Sequence, residues 1–280
     1  MRWVVCAVFA LAITPPAFAG DLDILRGPQP VGPALYTRWQ GFYFGGQASY
    51  SDMSADFSRS TGPLVASSLA ELTLEAEVAP SSWPVAGRAT SQGAGFGGFV
   101  GYNTQWEDLV LGFEANYTHS PVTVSSSGAP ILDRVFVVGS NEDSVSLEGN
   151  GMMRITDYGS IRARAGYVFG NLLPYGFAGV ALGRANYDVT SLVYGQQNAL
   201  TAAPPILPCT PGGTCVPYSF TNSAAKTGLI LYGFAVGGGV EMALSPNIFL
   251  RGEYEFIQFA AVQNITATIS TVRIGGGFKF

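Results

Sequence analysis

The last eleven residues, Ser-Thr-Val-Arg-Ile-Gly-Gly-Gly-Phe-Lys-Phe at positions 270–280, decide the fold. Apolar and polar residues alternate along them, and the apolar series ends in Phe278 and Phe280. A transmembrane β-strand alternates in this way because one side faces lipid and the other faces the lumen, and about 9–11 tilted residues span the membrane. The stretch therefore predicts the final strand of an outer-membrane barrel, with Phe278 and Phe280 as the signal that the barrel assembly machinery reads.

The N-terminus predicts export. Met1-Arg2 is positive, residues 3–13 are apolar, and Ala17-Phe18-Ala19 has the A-x-A form of a signal-peptidase site. The apolar run is too short to cross a bilayer, although a retained membrane helix is the alternative, and no other run approaches the roughly 18 residues that a helical span needs. We predict a signal peptide at 1–19, an irregular periplasmic lead-in at 20–38 and an outer-membrane barrel at 39–280.

The composition is typical of a β-protein that faces lipid. The chain holds 36 Gly, 18 Phe and 13 Tyr, but only 12% of its residues are charged, about half the share in soluble proteins. A soluble all-β sandwich is the competing class. The formal net charge of −5 argues against nucleic-acid binding, which requires a basic patch.

The spacing of alternating segments predicts the topology. Eight segments alternate as strands do, at 41–51, 92–106, 109–118, 157–169, 174–189, 227–244, 248–259 and 270–280. The connections between them are alternately long and short, which is the plan of bacterial barrels with short periplasmic turns and long external loops. We therefore predict an all-β fold, an eight-stranded antiparallel up-and-down transmembrane β-barrel with long extracellular loops. Trp39 and Trp106, at strand ends, are predicted to belong to its aromatic girdle.

Two patterns inside the long connections leave the strand number open. Residues 69–78 alternate as a strand would, and residues 135–138 could pair with 145–147 as a hairpin. Either segment would prolong the barrel above the membrane. A ten-stranded barrel is the alternative to eight strands.

The inward side of the predicted strands carries charges of both signs. Eight strands leave an interior that side chains fill, and charges this deep must be paired because an unpaired buried charge is very costly. Glu114 is predicted to neighbour the arginines of the next strand, and similar pairs recur on the last three strands. The predicted network consists of Glu114, Arg162, Arg164, Glu241, Arg251, Glu253, Glu255 and Arg273. We interpret it as a structural plug that gives poor conductance; an ion or proton path is the alternative.

Other candidate chemistry is sparse. Cys209 and Cys215 surround a Pro-Gly-Gly turn, which in an exported chain indicates a local disulfide, with a metal site as the alternative. His119 is the single histidine and precedes Ser120, but neighbours in a strand point to opposite faces, which disfavours a catalytic dyad. We predict no catalytic, cofactor-binding or metal-binding residues.

Three segments carry a resemblance to a known family. They are Trp39-Gln-Gly-Phe-Tyr-Phe-Gly-Gly, Leu173-Pro-Tyr-Gly and the ending Val272-Arg-Ile-Gly-Gly-Gly-Phe-Lys-Phe. The strands, though not the long loops, resemble the small outer-membrane β-barrel proteins of rhizobia, brucellae and related α-proteobacteria, often labelled porin-family or opacity-like surface antigens. The resemblance implies an abundant eight-stranded envelope protein with no catalytic residues to carry over. Some similar proteins are described as haem-binding, but His119 stands alone without an axial-ligand pattern.

The functional hypothesis is a non-enzymatic, structural barrel of the bacterial outer membrane with large external loops. Its expected partners are outer-membrane lipid and lipopolysaccharide, the barrel assembly machinery, and a host or envelope ligand on the loops. The alternatives are a surface binding protein, as adhesin or haem receptor, a narrow porin, and a barrel enzyme that acts on lipid A. The pattern of residues names no loop ligand and no oligomeric state.

Overall fold

In the computed structural model, the structure describes residues 38–70, 74–126, 132–138, 141–199 and 216–280. Within these ranges the chain forms nine β-strands, which are β1 Gly41–Asp56, β2 Arg88–Trp106, β3 Leu109–Ser126, β4 Leu132–Val138, β5 Asn141–Tyr167, β6 Leu172–Ala199, β7 Val216–Ala243, β8 Ile248–Phe259 and β9 Thr266–Lys279. Two short helices, α1 Gly62–Ser68 and α2 Leu74–Val78, and a 3₁₀ turn at Pro80–Ser82 follow β1. No helix in these ranges is long and apolar enough to cross a membrane.

Eight of the strands close into an antiparallel barrel. Neighbours in the order β1, β2, β3, β5, β6, β7, β8, β9 pair along the sheet, and β1 pairs with β9, which closes the ring. The short β4 lies outside this ring and pairs only with the outer part of β5, from Leu132 opposite Leu147 to Val138 opposite Asn141. The predicted eight-stranded up-and-down barrel is confirmed. A hairpin forms where one was predicted, but its register is different: residues 135–138 pair with 141–144, and residues 145–147 pair with 132–134.

The outer wall of the barrel carries an apolar belt. Outward side chains that are more than half exposed include Phe42, Phe96, Phe113, Ile161, Val180, Tyr232 and Ile274. A contiguous apolar surface of this extent is rare on a soluble protein. It suits a barrel whose outward residues contact lipid and whose inward residues face a polar lumen.

Strands β5, β6 and β7 extend far beyond the belt, because they contain 27, 28 and 28 residues and a membrane needs only about 9–11. Much of the sequence predicted as external loop is therefore strand. The predicted alternating segment at 69–78 is wrong: Leu69 ends α1 and residues 74–78 form α2. Leu, Ala and Glu favour helix, and Leu64, Val65 and Leu69 share the buried side of α1.

One level of the barrel is irregular. The register shifts between His119 and Val122 on β3, between Ile155 and Asp157 on β5, and between Ala185 and Tyr187 on β6. Such bulges bend a strand and re-aim its side chains. On β5 the extra residue, Thr156, exchanges the two faces, so residues that would point inward below it point outward above it.

Candidate functional site

The lumen of the membrane half holds a closed network of charges. Glu114 accepts hydrogen bonds from three guanidinium groups: Arg162 at 2.5 Å, Arg251 at 2.7 Å and Arg164 at 3.2 Å. Glu253 accepts from Arg162 at 2.6 Å and from Arg273 at 3.0 Å. The structure thus brings all eight sequence-predicted lumen residues together, from β3, β5, β7, β8 and β9.

Three of the Glu–Arg pairs in the network join residues that lie directly opposite each other on neighbouring strands. Glu114 lies directly opposite Arg162, Glu241 opposite Arg251, and Glu253 opposite Arg273. These contacts follow from strand order and alternation, as the sequence predicted. The contacts across the lumen, such as Arg162 to Glu253 and Arg251 to Glu114, depend on how the ring closes and had no signal in the sequence.

The network is neutral and fully buried. Among the described residues it contains four glutamates and four arginines, whose side chains are at most 1% exposed. Burial of one unpaired charge is strongly unfavourable, whereas pairing with good hydrogen bonds offsets most of the desolvation cost. Each carboxylate therefore needs its arginines in place, and the set behaves as a unit.

Aromatic rings lie over the guanidinium groups. The Cζ atoms of Arg251, Arg162 and Arg164 lie 3.8, 3.9 and 3.9 Å from the ring centres of Phe99, Phe177 and Tyr175. Such cation–π contacts stabilise a desolvated cation.

Glycines on adjacent strands leave space for these rings. A Cβ at Gly45 would lie 2.3 Å from the Cζ of Phe99, and one at Gly237 would lie 2.5 Å from the Cζ of Phe177. The glycine clusters inside the strands therefore allow aromatic rings to lie flat against the barrel wall.

The periplasmic end of the lumen is filled by an aromatic cluster. Trp39 packs edge-on against Phe249 at 6.1 Å, and the ammonium group of Lys279 lies 4.2 Å from the indole ring. Trp39 is only 2% exposed, so its predicted place in the aromatic girdle is wrong. It precedes β1, and Gly41, at φ +126°, turns the chain so that the indole enters the lumen instead of the lipid.

The outer end of the lumen is filled by an apolar core. Met53, Phe57, Val124, Met153 and Ile155 are buried there together. Above them α1 packs Val65 and Leu69 against strand residues at the outer end of the barrel, Val145, Leu147 and Val193. The described lumen is thus occupied at three levels: an aromatic cluster, a charge network and an apolar core.

The chain matches the family described as "Outer membrane protein beta-barrel domain" over residues 5–280. It belongs to this family. A 22 kDa outer membrane protein of Rhizobium leguminosarum bv. viciae is 25% identical to it over 232 residues, which cover 82% of this chain and 68% of that protein. This barrel is therefore a small outer-membrane protein similar to those of rhizobia, and its location is the outer membrane.

Two solved structures of bacterial surface proteins are similar to this barrel at low sequence identity. Neisserial surface protein A is 15% identical, with a TM-score of 0.39, and the match covers 86% of this chain and 97% of that chain. Ail, the attachment invasion locus protein of Yersinia pestis, is 13% identical, with a TM-score of 0.34, and covers 86% and 99%.

The remaining predicted residues of this outer-membrane barrel lie apart from the network. Trp106 is 58% exposed on the outer wall. Phe278 and Phe280 form an exposed aromatic group with Phe44, with ring centres 5.2–6.4 Å apart. Cys209 and Cys215 and the signal peptide lie outside the described residues.

His119 and Ser120 point in opposite directions, as strand geometry requires. The His119 ring contacts Asp157 at 2.8 Å on the outer wall, whereas the Ser120 hydroxyl is buried and donates to the carbonyl of Ala94. The pair therefore forms no nucleophile–base dyad. The carboxylate that orients the ring, Asp157, was not identified from the sequence, because the pairing of His119 with β5 fixes that contact.

Proposed function

We propose that this outer-membrane barrel is a structural, non-enzymatic envelope protein with a closed lumen and a large external surface. The signal peptide at 1–19, the periplasmic lead-in at 20–38 and the C-terminal signal formed by Phe278 and Phe280 belong to the same proposal. The barrel assembly machinery and the lipopolysaccharide of the outer leaflet are its proposed partners during and after insertion.

The filling of the lumen supports this function most directly. Water and ions need a continuous polar path, and the eight-stranded interior is occupied by side chains at every level that the structure describes. Each arginine and each glutamate of the network is ion-paired within it, which leaves no unpaired charge for a passing ion. Three guanidinium nitrogens, Arg162 Nε, Arg164 Nη2 and Arg273 Nε, are buried without a hydrogen-bond partner in the described part of the chain. A network of this kind rigidifies the barrel and specifies one register.

The test is conductance of the purified, folded barrel in planar lipid bilayers. We expect no current steps above the background of protein-free membranes. Reproducible steps in the wild-type protein would instead establish a narrow porin.

The envelope role is tested in cells. A strain that lacks the gene is expected to be more sensitive to detergent and chelator, and the wild-type gene is expected to restore resistance. If the strain that lacks the gene showed unchanged sensitivity to detergent and chelator and an unchanged lipid asymmetry of the outer membrane, the structural role would be ruled out. The closed lumen would not be affected by that result.

A surface binding protein is the second candidate, and one observation favours it. The barrel extension above the membrane exposes the apolar side chains of Val135 on β4 and Phe220 on β7. The Phe220 ring stacks on the partly buried ring of Tyr218, with centres 6.1 Å apart. Such groups are common in binding surfaces. A Phe220→Ser variant that lost binding of whole cells to a host surface, with the barrel intact, would support this candidate.

A further inference from the structure

The outer wall of the barrel carries a groove just below the level of the bulges. It has a volume of about 610 Å³ and runs across β3, β5, β6 and β7. Ala115 and Gly159 form its floor, and Tyr117, Ile161, Leu182 and Ile230 stand around it. These are lipid-facing residues of the belt, so the groove opens to the hydrocarbon of the membrane and not to water or to the lumen.

Positive charge collects at the outer end of this groove. Arg184 contributes to the groove itself, and Arg154 stands on the next strand one step farther out, in an adjoining cavity of about 630 Å³ that both arginines line. Both side chains are exposed. Among the residues that the structure describes, neither guanidinium forms a salt bridge or a hydrogen bond, in contrast to the arginines of the lumen.

The neighbouring carboxylate is already engaged. Asp157 lies directly opposite Arg184 in the β5–β6 ladder, but its Oδ1 contacts His119 Nδ1 at 2.8 Å and accepts the Tyr117 hydroxyl at 2.7 Å. Lys226, exposed on β7, adds a third cation near the arginines, and Asp188 lies one step farther out on β6. The two arginines are thus held by the bulged strands at the outer edge of the belt, with their donors available.

We propose that this groove and its two arginines bind lipid A, the phosphorylated and acylated anchor of lipopolysaccharide. An acyl chain occupies the apolar groove, and a headgroup phosphate accepts hydrogen bonds from Arg184 and Arg154. Charge complementarity and position support this occupant. Arginine matches phosphate geometry with paired donors, and cations beside an apolar membrane surface recognise anionic headgroups.

The bulges place the two parts of the site next to each other. Thr156 exchanges the faces of β5, so that Arg154 points outward above Asp157, while Gly159 keeps the floor open below. Without the extra residue Arg154 would face the apolar core formed by Met153 and Ile155. The site rests on the proposed function, which names lipopolysaccharide as a partner, and assigns that partner a place on the outer wall. It does not depend on whether the lumen conducts.

The test is binding of purified bisphosphorylated lipid A to the mature barrel in phosphatidylcholine nanodiscs, measured by native mass spectrometry. An Arg154→Ala/Arg184→Ala variant is expected to bind about tenfold more weakly for each arginine lost. Arg88→Ala, which removes an exposed arginine at the outer end of β2, is the matched control and is expected to bind as the wild type does. Dephosphorylated lipid A is expected to bind more weakly than lipid A to the wild type and to Arg88→Ala, and to bind as weakly as lipid A does to the double arginine variant.

The groove is tested separately with a bulky side chain. Ala115→Trp fills the floor, whereas Ala163→Trp puts the same ring on the same outer wall nearer the periplasm, outside the groove. We expect weaker lipid A binding in Ala115→Trp alone, with both variants shifting normally between boiled and unboiled gels. The proposal would be overturned if the double arginine variant bound lipid A as tightly as Arg88→Ala does, or if the wild type bound dephosphorylated lipid A as tightly as lipid A. It would also be overturned if inorganic phosphate displaced bound lipid A as effectively as added lipid A does.

Discussion

The membrane half and the outer half of this barrel have opposite interiors. In the membrane half the inside is polar, with eight paired charges, and the outside is apolar. In the outer half the inside is apolar, built around Met153 and Ile155, and many outward residues, such as Arg154 and Thr123, are polar or charged. One continuous sheet therefore has a polar interior at one end and an apolar interior at the other, because its surroundings change from lipid to water along the strands.

The change of solvent explains where each half obtains its stability. Above the membrane the hydrophobic effect drives burial, as in a soluble protein. Within the membrane the outside is already apolar, so little is gained by placing apolar groups inside, and paired charges can fill the lumen. Register shifts in the β3–β5, β5–β6 and β6–β7 ladders lie at the boundary between the two arrangements, and on β5 the extra residue exchanges the two faces.

The largest expected effect comes from removal of one lumen carboxylate. Glu114→Ala leaves Arg162, Arg164 and Arg251 without a shared acceptor, and breaking such a buried set costs about 3–5 kcal/mol. The measurement is the free energy of unfolding in urea, with the barrel folded into lipid vesicles.

The matched control for that variant is a water-exposed pair in the outer half. Asp56 contacts Arg88 at 3.3 Å, and hydrogen bonds from Ser58, followed by the contact with Arg88, lower the pKa of Asp56. Asp56→Ala is expected to change stability by about 0–1 kcal/mol because exposed pairs contribute little. Equal losses in the two variants would mean that the lumen is wet and that the network is not the unit described above.

The next effect should be confined to the outer half. Met153→Ala removes a fully buried side chain from the apolar core, and such truncations cost about 2–5 kcal/mol. We expect protease to cut the long β5–β7 extensions faster, while the unboiled barrel keeps its gel mobility. Thr123→Ala, on the outward side of β3 at the same height, is the control and should be as resistant as the wild type. Loss of the whole barrel in Met153→Ala would show that the two halves fold as one unit.

A smaller effect is expected when charges are removed in pairs. Glu241 and Arg251 lie opposite each other and contact at 2.5 Å. Because the double replacement Glu241→Leu/Arg251→Met keeps the lumen neutral, it should recover most of the stability that either single replacement loses, as neutral substitutes for buried pairs often do. The measurement is a double-mutant cycle of unfolding free energies. Additive losses would indicate that each group acts alone.

The membrane half was largely predictable from the sequence, and the outer half was not. Alternation with apolar residues outward identified β1–β3 and β7–β9 near the membrane and the direct partners of Glu114 and Arg273. On β5 and β7 the inward positions change between even-numbered and odd-numbered residues where the membrane half meets the extension, so a single alternating pattern does not connect the two parts; β6 keeps the same alternation throughout. The places of Trp39 and α1 depend on what fills the interior, which strand patterns do not specify.

The smallest effect tests where the membrane ends. Val272 on β9 and Val135 on β4 are 54% and 56% exposed, but Val272 lies in the apolar belt and Val135 in the outer hairpin. Val→Thr keeps the shape of each side chain and adds a hydroxyl, which costs about 1 kcal/mol when it faces an apolar medium and little when it faces water. We therefore expect Val272→Thr to lower the unfolding free energy by about that amount and Val135→Thr to leave it unchanged within about 0.5 kcal/mol. The same loss at both positions would place the outer hairpin in lipid, and no loss at either would place the belt in water, so the pair of variants decides on which side of the bulges the solvent changes.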